Sequence, residues 1–399
     1  MKKNIALIVP TFPTGGGVPA VGKFLYHAIK EDENYNQEII SLSGHFKDSN
    51  NVRVTSPATW LRGIQITEDV HDGYSYTHYG SFFPEFPGQA FKPRKSLTHH
   101  LNQFDLIQIV AGSPAWAYLA KHVTVPTVLQ VATLVKVERE RKIKSRSGLR
   151  KLYQKYATEK ITKLEKQGMK YVDHTFVENS WMYEYLQKEV GSDKVSFAPP
   201  GVDTQLYKPA VGGISEAPYI LSVGRFSDPR KNTRMLFEAY KKLLDSNPDV
   251  PKLVLAGKSG PSAEDMEYAR QVNISDHVEI KLDVSLDKLI KLYQGAELFL
   301  LSSDEEGFGM VIMEAMACGV PVIATDCGGP STLITSGRDG YLVPVGSSES
   351  LAKRTNQLLI DNKKRQQFSE SAREKILNQF SDEITGKKFL DIYNQLITK

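Results

Sequence analysis

Glu306-Gly307-Phe308-Gly309-Met310-Val311-Ile312-Met313-Glu314-Ala315-Met316-Ala317-Cys318-Gly319-Val320-Pro321 is the stretch from which both fold and chemistry are read. An apolar helical run is entered through two glycines. Gly319 is placed to end it as a left-handed residue past the last turn, and Pro321 bars continuation. A helix N-terminus presents unpaired N–H groups and the positive end of its dipole, so Gly307 to Met310 form a seat for a phosphate. Glu306 precedes the helix and is expected to reach outward. Glu314 falls inside the apolar run, where a carboxylate needs hydroxyl or cationic partners. A phosphate seat with an acceptor carboxylate on either side suits a nucleotide-sugar, with sugar hydroxyls one way and ribose hydroxyls the other. Two glutamates at this spacing also arise as a cap and an unrelated ion pair, so spacing alone does not decide.

Working outward, the 399-residue chain is long enough for two domains. Its 41% apolar and 24% charged content is that of an ordinary water-exposed globular protein. No apolar run approaches the roughly 18 residues that span a bilayer. Met1-Lys2-Lys3 resembles the start of a leader, but the run Ile5–Val9 is short and leads into Pro10 and a glycine cluster, which predicts a first β-strand and a cytoplasmic protein. Two cysteines, Cys318 and Cys327, flank a helix end and the next strand, which argues against a disulfide framework or a metal site. The net charge of +4 is uneven: 139–170 holds twelve Lys/Arg and three Glu, a local +9 that leaves −5 for the remainder. Basicity confined to one segment, with no recognition module, argues against nucleic acid as a partner.

Short β-branched runs alternate with longer charged segments, the pattern of parallel α/β sheets. The predicted strands are Ile5–Val9, Glu38–Ser43, Leu106–Val110, Thr127–Val131, His174–Val177 and Ser196–Ala198, then Tyr219–Val223, Lys252–Ala256, Val278–Leu282, Leu298–Leu301, Val322–Ala324 and Tyr341–Val343. Between the two sets, Ala198-Pro199-Pro200-Gly201 through Pro209, with Gly212 and Gly213 beyond, reads as a hinge. The expected domains are 1–205 and 206–379, with a terminal amphipathic helix in 380–399.

After the first strand of the second half comes Gly224-Arg225-Phe226-Ser227-Asp228-Pro229-Arg230-Lys231. Arg225 and Lys231 can hold a diphosphate from two sides, one as a fixed fork and the other as a mobile point charge. Exposed loop charges give the same pattern. After the first strand of the N-terminal half, Thr14-Gly15-Gly16-Gly17 lets backbone amides approach an anion, although its spacing is not that of a dinucleotide fingerprint. Leu282-Asp283-Val284-Ser285 precedes a helical segment whose N-cap is Ser285.

The helix stretch, extended from Leu298-Phe299-Leu300-Leu301-Ser302-Ser303 to Val322-Ile323-Ala324-Thr325, resembles the signature of retaining GT-B glycosyltransferases of family GT4. Gly224-Arg225 with Lys231, and Asp173–Ser180 leading to the hinge, are similar to the family's corresponding elements. The likeness covers nearly all of the second half and is weaker before residue 170. It implies an α/β GT-B fold, two Rossmann-like parallel-sheet domains facing across a cleft, with the terminal helix crossing back onto the first, acceptor-binding domain. It implies retaining transfer of a hexose-type sugar from an NDP-sugar to a hydroxyl of a glycan or lipid-linked acceptor, with no cofactor and no metal. Arg225, Lys231 and Glu306 become the catalytic set. Gly16, Gly17, Val284, Gly307, Phe308, Gly309, Met310, Val311 and Glu314 become the donor-binding set.

One departure stands out. Where many relatives carry a histidine, Pro126-Thr127-Val128-Leu129-Gln130-Val131-Ala132-Thr133 places Ala132. His71, Asp72, His78 and Gln130 are the other polar residues considered, each with a solvated or core-satisfied alternative. The basic segment 139–170 carries Leu149, Leu152, Tyr156, Ile161 and Leu164 among its charges. That composition suits either a solvated helix or a peripheral contact with the inner, anionic face of a membrane. The competing functions are a phosphorylase or nucleotide-sugar epimerase of the same fold, and a non-catalytic sugar-nucleotide-binding protein.

Overall fold

Fourteen strands among the described residues form two separate sheets, each built around a first strand with a buried, largely apolar centre. The computed structural model describes residues 2–13, 16–144, 146–210 and 218–398, without the side chains of Arg141 and Lys142. Thr14 and Gly15 of the predicted glycine turn, and Gly212 and Gly213 of the predicted hinge, lie outside the described residues. Contacts divide the chain into Met1–Pro200 with Thr385–Lys399, and Gly201–Ile384.

The first unit holds β1 (Lys3–Pro10), β2 (Tyr35–Leu42), β3 (Ile66–His71), β4 (Tyr74–Tyr79), β5 (Leu106–Ala111), β6 (Thr127–Val131), β7 (His174–Val177) and β8 (Val195–Phe197). They are ordered β3-β4-β2-β1-β5-β6-β7-β8, all parallel except β3 against β4. Ala6 and Ile8 pack with Ile40, Ile107 and Leu129 on one face. Ile5, Leu7 and Val9 pack with Ile39, Val128 and Phe176 on the other. Burial on both faces is why such strands read as continuous apolar runs. The helix Gly17–Glu31 crosses β1 at Gly22, where a Cβ would lie 2.7 Å from Val9 Cγ2. Within this unit the chain's last helical residues supply Phe389, its ring edge-on to Phe24 and tilted against Phe176, and Tyr393, whose hydroxyl donates to Gln108 Oε1 at 2.7 Å.

The second unit holds β9 (Tyr219–Arg225), β10 (Lys252–Ser259), β11 (Val278–Leu282), β12 (Ala296–Leu301), β13 (Val322–Thr325) and β14 (Gly340–Val343). Their order is β11-β10-β9-β12-β13-β14, all parallel. From β9 the chain builds one way through β10 and β11, then returns to β9's other side with β12. The strand order therefore reverses between β9 and β12, and that is where open α/β sheets bind ligands.

Every predicted strand has its counterpart. The hairpin β3–β4 has none in the sequence reading, because all of β3 is solvent-exposed and Ile66-Thr67-Glu68-Asp69-Val70-His71 carries no apolar alternation. Its one legible signal is the turn Asp72-Gly73, with φ of 51° and 80°, the two positive values of a type I′ hairpin. No helix among the described residues is long and apolar enough to cross a membrane.

Candidate functional site

The loops after β9 and β12 flank the reversal point of the second sheet, and each contributes half of one charge pair. Lys231 Nζ donates to Glu306 Oε1 at 2.5 Å, with the two side chains 16% and 14% exposed. Ser303 Oγ donates to the same carboxylate oxygen at 2.6 Å. Glu306 thus turns inward, contrary to the outward reach expected of it. It does so because a part-buried lysine from the neighbouring loop favours a counter-charge, and a carboxylate so placed is stabilised by both partners. The backbone of each half is held as well. Ser302 Oγ donates to the carbonyl of Lys231 at 2.9 Å, and Asn232 Nδ2 donates to Asp304 Oδ1 at 2.7 Å. Asn232 also caps the helix Thr233–Ser246, accepting from the amide of Met235. Beneath the lysine, Gly257 passes so close to β9 that a Cβ there would fall 1.8 Å from the Gly224 carbonyl oxygen.

Arg225, at the end of β9, is about half exposed and reaches Asp228 only at 3.6 Å. Arg230 is committed elsewhere: its guanidinium donates to both Asp228 oxygens, the closest at 2.7 Å. Burial disfavours charge on Asp228, but hydrogen bonds from the Arg230 side chain and amide, with the positive charge of Arg230 and Arg225, outweigh it and hold the carboxyl down at about 2. Of the three cations in this loop, Arg230 is therefore a brace, while Arg225 and Lys231 line the reversal point.

The helix start forms where the glycines place it. Gly309 precedes the helix Met310–Ala317 with φ of 101° and ψ of 54°, a left-handed conformation that favours glycine. The approach to it is strapped onto the loop after β13. The Gly329 amide donates to the Glu306 carbonyl at 3.0 Å, and a Cβ on Gly329 would sit 2.5 Å from the Phe308 carbonyl oxygen. Phe308 itself is buried and aims away from solvent toward Phe380. Gly319, with φ of 72°, follows the helix end as expected. Arg373 holds that end in place, donating to the carbonyls of Ala317, Tyr207 and Thr204.

Glu314 finds the hydroxyl partner that its apolar setting demands: Tyr293 donates to Oε2 at 2.6 Å. Burial nevertheless pushes the carboxyl up to about 7, the tyrosine hydrogen bond offsetting only part of the cost. Val284 is partly buried in the loop after β11, where Asp283 takes φ of 49° and donates its amide to the Gly257 carbonyl. Ser285 occupies the N-cap position of Leu286–Gly295, without a side-chain cap bond.

In the first unit, Gly16 and Gly17 open the helix after β1, Gly16 with φ of 145°. Gly17 has open space around its missing side chain. The considered polar residues are tied up. His78 bridges Ser41 Oγ and Asp48 Oδ2 at 2.9 and 2.8 Å. Asp72 sits at the exposed hairpin tip, 3.5 Å from Lys23 and 3.4 Å from His71. Gln130 is buried and donates to Glu178 Oε1 and the Ala198 carbonyl, while Ala132 offers its carbonyl to Asn179. The sequence reading missed Ser303 as a partner of Glu306 and Asp228 as the brace for Arg230. Neither has a signal beyond being polar next to a charged loop.

Residues 205–375 match the family Glycosyl transferases group 1. The N-acetyl-alpha-D-glucosaminyl L-malate synthase of Bacillus anthracis is 34% identical over 187 residues, covering 46% of this chain and 48% of the synthase. The chain thus spans about half the length of the curated relatives it matches. Among solved structures, sucrose-phosphate synthase from Thermosynechococcus elongatus covers all of both chains with a TM-score of 0.73 at 20% identity. Anabaena Alr3699/HepE, solved in complex with UDP-glucose, covers 99% of this chain and 100% of its own with a TM-score of 0.70 at 16% identity. Likeness of that kind shows the fold, which is GT-B, two Rossmann-like units.

Proposed function

We propose, from the premise that residues 205–375 form a domain of the Glycosyl transferases group 1 family, that the protein transfers a hexose-type sugar from an NDP-sugar to a hydroxyl of a glycan or lipid-linked acceptor. The reading includes retention of anomeric configuration and no metal. Its supporting observation is the Lys231–Glu306 pair at the sheet's reversal point, with the half-exposed Arg225 on one side and the Gly309–Met310 helix start on the other.

In this reading the donor diphosphate takes Lys231, Arg225 and the amides from Gly307 to Val311. Opposing cations and amide dipoles stabilise the charge that grows on the leaving oxygen, which is where a transferase gains much of its rate. Glu306, already oriented by Ser303, accepts from sugar hydroxyls. Glu314 accepts from the ribose, and the backbone around Val284 meets the base. The acceptor oxygen bonds to the anomeric carbon as the carbon–oxygen bond to phosphate breaks. That electron pair goes to the phosphate, which takes the acceptor's proton on the same face. HepE's UDP-glucose complex supports a nucleoside diphosphate donor and makes uridine the first base to try. A peripheral contact of 139–170 with an anionic membrane at the cytoplasmic face completes the proposal.

The test is a binding, hydrolysis and transfer screen over UDP-, GDP- and ADP-sugars, with Glu306→Ala and Lys231→Ala as controls. One donor is expected to turn over in the wild type and in neither variant. Wild-type turnover in either variant removes that residue's role; phosphate-dependent turnover or epimer formation without acceptor removes the transferase.

A further inference from the structure

The helix Gly148–Gly168 is two different helices along its length. Its second half is anchored: Ala157, Thr158, Ile161, Glu165 and Gly168 are buried. Glu165 accepts from Ser113 Oγ and the Val135 amide, both at 2.8 Å, and Gly168 passes close enough to Tyr118 that a Cβ would meet its amide at 2.7 Å. Its first two turns are bare. Leu149, Leu152, Tyr153 and Tyr156 are 84%, 63%, 52% and 49% exposed, and their spacing of i, i+3, i+4, i+7 puts all four on one face. The sequence reading named Leu149, Leu152 and Tyr156 together with Ile161 and Leu164 as the apolar residues among the charges of this segment. The structure separates them, because Ile161 and Leu164 serve the core with Ala115, Val135 and Phe91 while the earlier residues face solvent.

Cations frame the bare face. Arg150, Lys155, Lys160 and Lys163 are exposed along the same helix, against a single exposed acid, Glu159, and Lys160 Nζ lies 5.1 Å from the Tyr156 ring. Four apolar side chains held in water next to long basic ones match a surface that is apolar just beneath a layer of negative charge. We infer that the first two turns of this helix insert Leu149, Leu152, Tyr153 and Tyr156 into an anionic phospholipid surface, with the flanking lysines and arginine on the headgroups. The inference deepens the membrane contact of the functional reading by assigning it to these residues, yet it needs no transferase activity to hold.

The experiment is co-sedimentation of the full chain with phosphatidylcholine vesicles, with and without about a third phosphatidylglycerol. Two variants accompany the wild type, Leu149→Ser/Leu152→Ser and Lys155→Glu/Lys160→Glu, all at exposed positions that leave the fold intact by circular dichroism. The wild type is expected to partition onto anionic vesicles and not onto neutral ones, and each variant to lose at least about tenfold in partitioning. Nucleotide-sugar binding stays at the wild-type level in both, which separates this proposal from the fate of the donor site. Three results overturn it: wild-type partitioning by the leucine variant, equal or absent binding to the two vesicle types, or a dimer in lipid-free solution that the leucine variant splits, which would make a second copy the occupant.

Discussion

The two sheets start alike and finish differently. In each, an apolar first strand sits between strands that depart in opposite directions, β2 and β5 beside β1, β10 and β12 beside β9. At the reversal point of the first sheet the chain places Gly16, Gly17, Gly112 and Ser113, and the Ser113 hydroxyl is committed to Glu165. At that of the second it places Arg225, Lys231, Ser303 and Glu306, with oppositely charged side chains meeting across the gap. Shared topology supplies the reversal; among the described residues the second unit sets a charge pair on it. Function is carried by the side chains set on a fold and not by the fold.

The strongest way to break this contrast is to remove the pair. Lys231→Met leaves the part-buried Glu306 with the Ser303 hydroxyl as its described partner, and is expected to cost about 1–3 kcal/mol of stability and about 10²–10³-fold in turnover. Adding Glu306→Gln to it should restore most of the stability and none of the turnover. Urea unfolding beside a donor-turnover assay separates the two effects, and a double variant that stays unstable would mean that the pair is not what Lys231 contributes. Arg225→Ala is next, with a loss of about 10²-fold in turnover. Its thermal midpoint should barely move, because its nearest acid is at 3.6 Å and half of the side chain is in solvent.

Glu314 sharpens the contrast through pH. Its carboxyl is raised from 4.5 to about 7 in the folded chain, so between those values the folded state keeps a proton that the unfolded state has released. That contribution to stability is present at low pH and is lost as pH rises through about 7. Glu314→Gln is therefore expected to be more stable than wild type at pH 8, by up to about 3 kcal/mol, with the gap closing toward pH 5. Donor affinity runs the other way. If the ionised form holds the ribose, the wild-type KM for donor rises as pH falls below about 7, and Glu314→Gln has a raised KM without that pH dependence. A variant that gains stability at pH 8 but keeps the wild-type KM would leave Glu314 a purely structural carboxylate. The smallest effect belongs to the first unit: Gly22→Ala forces a Cβ against Val9 and is expected to cost about 1–3 kcal/mol, with the donor KM unchanged.

What the sequence disclosed follows the same division. Buried parallel strands are continuous apolar runs, so the twelve central strands are visible in it. The exposed β3 is polar throughout and escapes the pattern, leaving only Asp72-Gly73 as a trace. In the second unit the candidate residues lie in two short loops with glycines at the turns, where residue type and spacing are informative. The partner of each charge is not, because Ser303 and Asp228 become partners only when separate loops meet in space. The inward turn of Glu306 is of this kind: nothing in Glu305-Glu306-Gly307 distinguishes a solvated carboxylate from one that Lys231, seventy-five residues earlier, draws inside. The first unit is less legible because its polar residues, such as Gln130 and His78, are spent on internal hydrogen bonds that sequence does not reveal.

A crystal structure of the protein with its nucleotide-sugar donor locates the diphosphate. Diphosphate oxygens are expected within hydrogen-bond reach of Arg225, Lys231 and the amides at Gly309 and Met310, with Glu306 on the sugar hydroxyls. A diphosphate bound away from the β9–β12 reversal point, with the Lys231–Glu306 pair closed and untouched, would contradict that expectation.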